Sequence, residues 1–592
     1  MLDFRNTNSL WASVLVETLA RLGLKTAVLC PGSRSTPLTV AFANHLQIEA
    51  IPILDERSAS FFALGVARQS NRPVVLVCTS GTAGANFYPA VIEAKEGRAP
   101  LLILTADRPP ELRDCASGQT IDQQKLFGGF PNAYAELATP APDIRMLAYL
   151  RQTMIQAWEQ TYLPTPGPVH LNCPFRDPLP PQPDPATLPL LNTLNPETFF
   201  SHLPSPRDAK FCVSTSSPPS SPSPPSSPAS LPLPLPLWQS CDRGLIIAGP
   251  AQPTDPQAYC TAVSHLSTTL GWPVLADALS PLRNYQSLNP YLISTYDPIL
   301  RQAHWAEKLT PEQIIQLGPL PTSKVLRQWL ETITATRWVV DPGDRNLDPL
   351  HGNVIPLRLS INQIVQSIEP APKPRPRYTQ LWRRIDDGVS QRIHQTLANM
   401  DTLFEGKVAW ALSQTLPPGS PLFISNSMPV RDMEFFWSPG DLGVRPFFNR
   451  GANGIDGILS TAIGIAHHNQ SSVLLTGDLA LLHDTNGFLL SQQLQGHLTI
   501  VLINNNGGGI FEMLPIAQFD PPFEQFFATP QSVNFSQLCK AYRSDYKLIQ
   551  TWDQLVSDLN PLPQTGIRVL EIRTNRKADT QWRQANLGKL AT

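Results

Sequence analysis

Short apolar runs recur along this chain, each followed by a stretch with helical spacing. In the first third the runs are TAVLC, AIPIL, VVLVC and LLILTAD, with SASFFALGVARQS and FYPAVIEAKEG as the helical stretches between them. SLWASVLVETLARLGL, ahead of the first run, also reads as a helix. Strands that alternate with helices imply βαβ units and a parallel sheet. The pattern restarts in the middle of the chain with RGLIIAGP, GWPVLAD, QIIQLGPLPTSKVLRQWLETI and RWVVDPGD. It restarts again in the last third with PLFIS, SVLLTGD, LTIVLINN and IRVLEIRT. The predicted fold class is α/β, with three parallel-sheet domains.

The first and last thirds share a layout. VVLVCTSGTAG, a helix and PLLILTADRP match SVLLTGDLALL, a helix and LTIVLINNNGG, each being strand, Gly-containing turn, helix, strand. A common plan explains this, and so does the general likeness of βαβ units. Proline punctuates the pattern. SPPSSPSPPSSPASLPLPLP, residues 217–236, is Ser/Pro low complexity that cannot pack a core. EPAPKPRPR, residues 369–377, is a second Pro-rich connection. The expected partition is an N-terminal α/β domain over 1–195 and a Ser/Pro-rich linker or insertion over 196–240. A central Rossmann-like α/β domain over 241–370 and a C-terminal α/β domain over 371–592 follow. The central domain lacks GxGxxG after its first strand, so nothing supports a dinucleotide there.

Composition narrows the function. A chain of 592 residues exceeds one core. Hydrophobic residues at 42% and charged residues at 16% describe a globular protein, and a net charge of -2 argues against nucleic-acid or membrane-surface partners. No apolar run approaches the ~20 residues of a membrane span. MLDFRNTNSLW has neither the basic nor the apolar region of a signal peptide. Cys30, Cys78, Cys115, Cys173, Cys212, Cys241, Cys260 and Cys539 are scattered without a CxxC pair, which reads as reduced thiols. A cytoplasmic protein is expected.

Candidate chemistry concentrates at two strand ends in the last third. SVLLTGD ends at Asp478, and LTIVLINN ends at Asn504 and Asn505, the latter 27 residues after Asp478. Both ends fall on the carboxyl edge of one parallel sheet, where such sheets bind ligands. A carboxylate, an amide oxygen and a backbone carbonyl from the glycine run are hard oxygen ligands that suit Mg²⁺ and substrate phosphates. The glycines allow close backbone approach. A Gly turn with an Asn-rich strand exit explains the same residues without a ligand. No Walker A loop is present.

This Gly-Asp…Asn-Asn spacing resembles the diphosphate–Mg²⁺ motif of thiamine-diphosphate enzymes. The resemblance implies metal ligation by Asp478, Asn505 and the Gly507 carbonyl, with Gly477 beside the cofactor. The usual GDG reads GDL here. It also implies a similarly folded pyrimidine-binding domain with one glutamate at a strand end. AIPILDERSASFF supplies Glu56 in that position, where Asp55 and Glu56 also read as a charged helix start.

PGSRSTPL, TSGTA, TADRPPELR, GQTIDQ, NSMPVRD, NRGANGIDG and NNNGGGIFEMLP are more specific. Together they resemble the 2-succinyl-5-enolpyruvyl-6-hydroxy-3-cyclohexene-1-carboxylate synthases, thiamine enzymes of menaquinone and phylloquinone synthesis. The resemblance spans nearly the whole chain apart from the Ser/Pro-rich stretch. It implies decarboxylation of 2-oxoglutarate and addition of the succinyl carbanion equivalent to isochorismate, with thiamine diphosphate and Mg²⁺, or Mn²⁺ in its place, as cofactors. Both substrates are dicarboxylates, and Arg forks match carboxylates. Matching motif to motif makes Arg34, Arg108, Arg431 and Arg450 carboxylate-binding candidates with catalytic roles. Ser33, Gln119, Ser427 and Lys324 become polar substrate contacts. Ser427, Gly454 and Ile455 become cofactor contacts, and Ile510 and Phe511 apolar walls over the reacting carbon. Each of these also has a bland reading, as a surface ion pair or core packing. The family implies a homodimer or dimer of dimers in which pyrimidine and diphosphate domains of different chains face each other. Competing readings are another thiamine-dependent 2-oxo-acid enzyme, such as an acetohydroxyacid synthase or a decarboxylase, a non-catalytic cofactor-binding relative, and a flavodoxin-like nucleotide module.

Overall fold

A computed structural model describes residues 2–203, 233–369 and 376–592. It contains three six-stranded sheets in which every strand pair is parallel. The first runs, in spatial order, Glu49–Pro52, Thr26–Leu29, Val74–Cys78, Leu101–Asp107, Pro168–Pro174 and Ala133–Glu136. The third runs Arg445–Phe447, Pro421–Ile424, Ser472–Gly477, His497–Asn504, Gly566–Arg573 and Asp545–Ile549. Numbered along the chain, both have the order 2-1-3-4-6-5, so the repeated layout in the sequence reflects a repeated fold. The middle sheet runs Leu292–Ile293, Val274–Ala276, Gly244–Ala248, Gln313–Leu317, Thr336–Val340 and Val354–Leu357, the order 3-2-1-4-5-6 of Rossmann-like sheets.

The central strands are buried along their whole length, as in Val74–Cys78, Leu101–Asp107 and Gly244–Ala248. Helices cover both faces of such sheets, which is why their strands read as unbroken apolar runs. The strands that the pattern did not reveal include Ala133–Glu136, Leu292–Ile293, Val354–Leu357, Arg445–Phe447 and Asp545–Ile549, all at sheet edges. Several are short, half-buried or carry charge, so they lack the apolar signature.

The contacts divide the chain into two compact units. One takes in the chain from its N-terminus to the Ser/Pro-rich stretch, together with Asn449–His468 and His483–Gln495. The other holds the middle and C-terminal sheets, with Asn469–Leu482. The expected linker over 196–240 lies in large part outside the described residues. Its described ends are not extended. Pro196–Phe199 and Leu235–Ser240 are helical, and Trp238 is fully enclosed in the core of the middle sheet. An indole buries too much apolar area to be left in a tether. The second Pro-rich connection lies outside the described residues from 370 to 375. No helix among the described residues is long and apolar enough to cross a membrane.

Within the first unit, the helix Glu56–Ser70 is opened by Asp55, whose side chain accepts the Ser58 N–H at 2.8 Å. It lies against Ile458–Ala466 so closely that neither of the facing glycines has room for a Cβ. A Cβ on Gly65 would stand 2.1 Å from the Thr461 carbonyl oxygen, and one on Gly464 would stand 2.2 Å from that of Phe62. Gly464→Ala is therefore expected to destabilise this unit by about 1–3 kcal/mol, because a methyl must push two backbones apart. Thermal unfolding reads the effect, and an unchanged midpoint would refute the close approach.

Candidate active site

In the third sheet the strand order reverses between Pro421–Ile424 and Ser472–Gly477, where an open α/β sheet leaves a crevice beyond its carboxyl ends. Asp478 follows the second of these strands directly and is 4% exposed. Its carboxylate accepts the backbone N–H groups of Leu479, at 2.9 Å, and Gly507, at 2.8 Å. Burial outweighs these donors and pushes its carboxyl up to about 6. A carboxylate desolvated in this way gains strongly from a cation at contact distance.

Asn505, past the end of the next strand, is also buried. Its Nδ2 donates to Glu405 Oε1 at 2.6 Å, while its Oδ1 is buried and accepts no hydrogen bond among the described residues. Leaving an amide oxygen so costs about 1–3 kcal/mol, and a hard cation would satisfy it. Gly507 has φ +135°, and a Cβ there would lie 2.3 Å from the Ala528 carbonyl oxygen, so only glycine serves. At Gly477 an added Cβ would meet nothing within 4 Å, which leaves room for a ligand against the backbone. The set of Asp478, Asn505 and Gly507 thus fits a divalent cation with oxygen ligands.

Around this cluster, Ile510 and Phe511 are half-buried in the turn Gly509–Met513, with the Phe511 ring edge-on to Phe527 at 5.8 Å. Ser427 opens the helix Met428–Phe436 at φ +72°, a conformation that a residue with a Cβ holds only under constraint. Arg431 Nη1 donates to the Ser427 carbonyl at 2.5 Å, which ties the two candidates together. Lys324 is exposed at the first position of Lys324–Thr332, and no described contact links it to the others.

The N-terminal unit holds the other candidates at the carboxyl edge of its own sheet. Arg108 Nη1 donates to Ser80 Oγ, and Gln119 Nε2 donates to the Ser80 carbonyl at 3.0 Å. Arg34 is 7% exposed. Its Nη1 donates to the Phe175 carbonyl at 2.9 Å, it pairs loosely with the exposed Asp177 at 3.7 Å, and its buried Nε has no partner among the described residues. Burial lowers the Arg34 pKa, and the positive charge of Arg108 lowers it further. Two guanidiniums that repel each other in a partly dry recess would suit an anion. Ser33 is exposed beside them.

Glu56 is half-buried at the start of its helix, and its carboxylate accepts no hydrogen bond among the described residues. Burial raises the Cys30 and Cys78 thiols, and the nearby Glu56 charge adds to this. Arg450, Gly454 and Ile455 share a loop that Glu93 clamps. Its carboxylate accepts the N–H groups of Gly451 at 3.0 Å and Ala452 at 2.7 Å, and Arg68 pairs with it at 2.8 Å. Sequence reasoning missed Ser80, Glu93 and Glu405. Ser80 lies in the quoted TSGTA without a recognised role, and the two glutamates lie in no motif.

The family described as thiamine pyrophosphate enzyme, N-terminal TPP binding domain, matches residues 11–126, and that described as middle domain of thiamine pyrophosphate matches residues 235–424. The structure of benzoylformate decarboxylase from Polynucleobacter necessarius superposes with a TM-score of 0.67 at 17% identity, over 97% of this chain and 99% of that one, a likeness of fold. Fold and site define a thiamine-dependent enzyme. Synthases named for 2-succinyl-5-enolpyruvyl-6-hydroxy-3-cyclohexene-1-carboxylate are 60% identical in Trichormus variabilis, over 99% of this chain and 98% of that one, and 59% identical in Gloeothece citriformis, over 100% and 99%. The chain belongs to the 2-succinyl-5-enolpyruvyl-6-hydroxy-3-cyclohexene-1-carboxylate synthase family.

Asp478→Ala should weaken metal-dependent binding of thiamine diphosphate by more than about 100-fold, beyond the loss typical of an outer partner. Calorimetric titration measures it, and wild-type affinity in the variant would remove Asp478 from the ligand set.

Proposed function

We propose that this enzyme decarboxylates 2-oxoglutarate and joins the remaining four-carbon unit to isochorismate. The products are CO2 and 2-succinyl-5-enolpyruvyl-6-hydroxy-3-cyclohexene-1-carboxylate, with the enolpyruvyl group retained. The pathway is menaquinone or phylloquinone synthesis, in the cytoplasm. The observation that carries the substrate class is the Arg34–Arg108 pair. Two cations in mutual repulsion suit dicarboxylates, whereas a 2-oxo acid with a neutral side chain would leave one of them without an anion.

Bound thiamine diphosphate supplies the nucleophilic carbon and the electron sink for loss of CO2. The chain's own residues do the rest. Asp478, the Asn505 amide oxygen and the Gly507 carbonyl hold Mg²⁺, with Mn²⁺ as a substitute, and through it the diphosphate; Gly477 gives the phosphates room. Gly454 and Ile455 support the cofactor ring, and Glu56 hydrogen-bonds the pyrimidine and holds the proton that activates it. Arg34, Arg108, Arg431 and Arg450 fix carboxylates, and Ser33, Gln119 and Ser427 orient the polar groups beside them. Lys324 is the least anchored of the substrate contacts. Ile510 and Phe511 shield the reacting carbon from water. The domain partition at 195, 240 and 370 and a homodimer or dimer of dimers complete the proposal.

Incubation of the purified protein with thiamine diphosphate, Mg²⁺, 2-oxoglutarate and isochorismate tests it, with the product identified by mass spectrometry. Failure to form the adduct while another 2-oxo acid is consumed would favour a different thiamine enzyme. Glu56→Gln, nearly isosteric, should fold and bind cofactor yet lose most proton exchange at the cofactor C2. An exchange rate by NMR equal to wild type would exclude Glu56 as the activator. In the proposed dimer each site takes Glu56 from one chain and Asp478 from its partner. Mixing Glu56→Gln with Asp478→Ala chains should then restore part of the activity, because one site of a mixed dimer carries neither lesion. Subunits that exchange and stay inactive would exclude that arrangement.

A further inference from the structure

Beneath Asn505 lies a buried ionic network that the reading above leaves unused. Glu405, the first residue of the helix Glu405–Thr415, is 1% exposed. Its Oε1 accepts Asn505 Nδ2 at 2.6 Å, and its Oε2 accepts Arg583 Nη2 at 2.7 Å. Arg583, on the helix Arg576–Asn586, is itself 1% exposed and forks onto both oxygens of Asp432, at 2.9 and 2.7 Å. Asp432 is the next residue after Arg431 on the helix Met428–Phe436. The Glu405 N–H reaches Asp579 Oδ2 at 3.3 Å, which anchors the start of its helix.

The two ends of an asparagine amide have nearly the same shape, so hydrogen bonds decide which end faces which way. A carboxylate paired with a guanidinium can only accept. It takes the NH2 end of Asn505, because the amide oxygen against it would bring two acceptors together. The oxygen is therefore turned to the opposite side, where it is buried and has no donor. A neutral amide at position 405 could donate as well as accept and would permit either orientation. The two-point fork from Arg583 to Asp432 fixes the guanidinium, and the guanidinium fixes the carboxylate.

We propose that Glu405 is a positioning residue for the cation site: held by Arg583 and Asp432, it aims the Asn505 amide oxygen at the metal. This rests on the reading of Asp478 and Asn505 as ligands. Because Arg583 and Asp432 complete the chain of contacts, the helix that carries Arg431 and the C-terminal helix are both fastened to the residue that orients a ligand. Partners of this kind set the direction and strength of a metal ligand, and their loss costs about 10–100-fold in metal affinity.

The test uses the full chain, stripped of metal and titrated with Mn²⁺ in the presence of thiamine diphosphate. Free Mn²⁺ is followed by electron paramagnetic resonance, with thermal unfolding of the metal-free protein in parallel. Glu405→Gln is expected to raise the Mn²⁺ Kd about 10–100-fold. Asn505→Ala should raise it at least as far, and the double variant should be no worse than Asn505→Ala alone, since Glu405 acts through Asn505. Should Glu405→Gln fail to fold, Glu405→Asp is read in the same way, as it keeps a charge for Arg583 while drawing the carboxylate back from Asn505. Wild-type Mn²⁺ affinity in a folded Glu405 variant overturns the proposal, whatever its unfolding temperature. Fully additive losses in the double variant also overturn it, because Glu405 would then act elsewhere. Unchanged affinity in Asn505→Ala overturns the ligand reading itself and is recognisable apart from either result.

Discussion

The C-terminal sheet is organised around a surplus of buried negative charge. The charge of Glu405 acts on Asp478, Asp432 and Asp579, and Arg583 is a buried cation paired with Glu405 and Asp432. Burial pushes Asp478 up to about 6, and Asp432 and Asp579 up to about 7. Carboxylates in such surroundings are costly unless paired. Arg583 answers for Glu405 and Asp432, whereas Asp478 has only backbone N–H groups and the side chain of Asn505 shows an unpaired oxygen. A divalent cation held by Asp478 and Asn505, as proposed, would resolve this arrangement. Affinity for metal is the counterpart of instability in its absence.

The same fold, used twice, carries two kinds of recess. In both six-stranded sheets with the order 2-1-3-4-6-5, the loops after the first and third strands meet at the carboxyl edge. In the C-terminal sheet those loops contribute Ser427 and Asp478, an acidic setting suited to a metal and a diphosphate. In the N-terminal sheet they contribute Arg34 and Ser80, joined by Arg108 from the fourth strand, a basic setting suited to carboxylates. The topology determines where a ligand can approach, and the residues after each strand determine its charge.

Glycine acts here through absence of bulk at a few places. Gly65 and Gly464 let two helices touch backbone to backbone, and Gly507 lets a strand exit pass beneath the Ala528 carbonyl while sending its N–H to Asp478. Each is a point where packing and site geometry impose one requirement. Glu93 does comparable work by charge, since its carboxylate gathers two consecutive N–H groups of the loop that follows Arg450.

Unbroken apolar runs made the central strands, the α/β class and the duplicated plan legible in the sequence, because strands buried on both faces have no polar alternation to hide. The edge strands were not legible, since Asp545–Ile549 alternates exposed and half-buried positions before one buried residue and Ala133–Glu136 is half-buried throughout. The motifs singled out Glu56, Asp478, Asn505 and the arginines as candidates, because the proposed roles depend on residue type and on position relative to a strand end. What the sequence could not mark were Glu405, Arg583, Ser80 and Glu93. Glu405 is 100 residues from Asn505 and 178 from Arg583, and Glu93 is 358 from Gly451. A hydrogen bond across such separations leaves no local pattern in composition or periodicity. It exists only once the sheets have folded and excluded the water that would otherwise serve the same groups, so the candidate ligands were written in the chain and the orientation of the Asn505 amide was decided by packing.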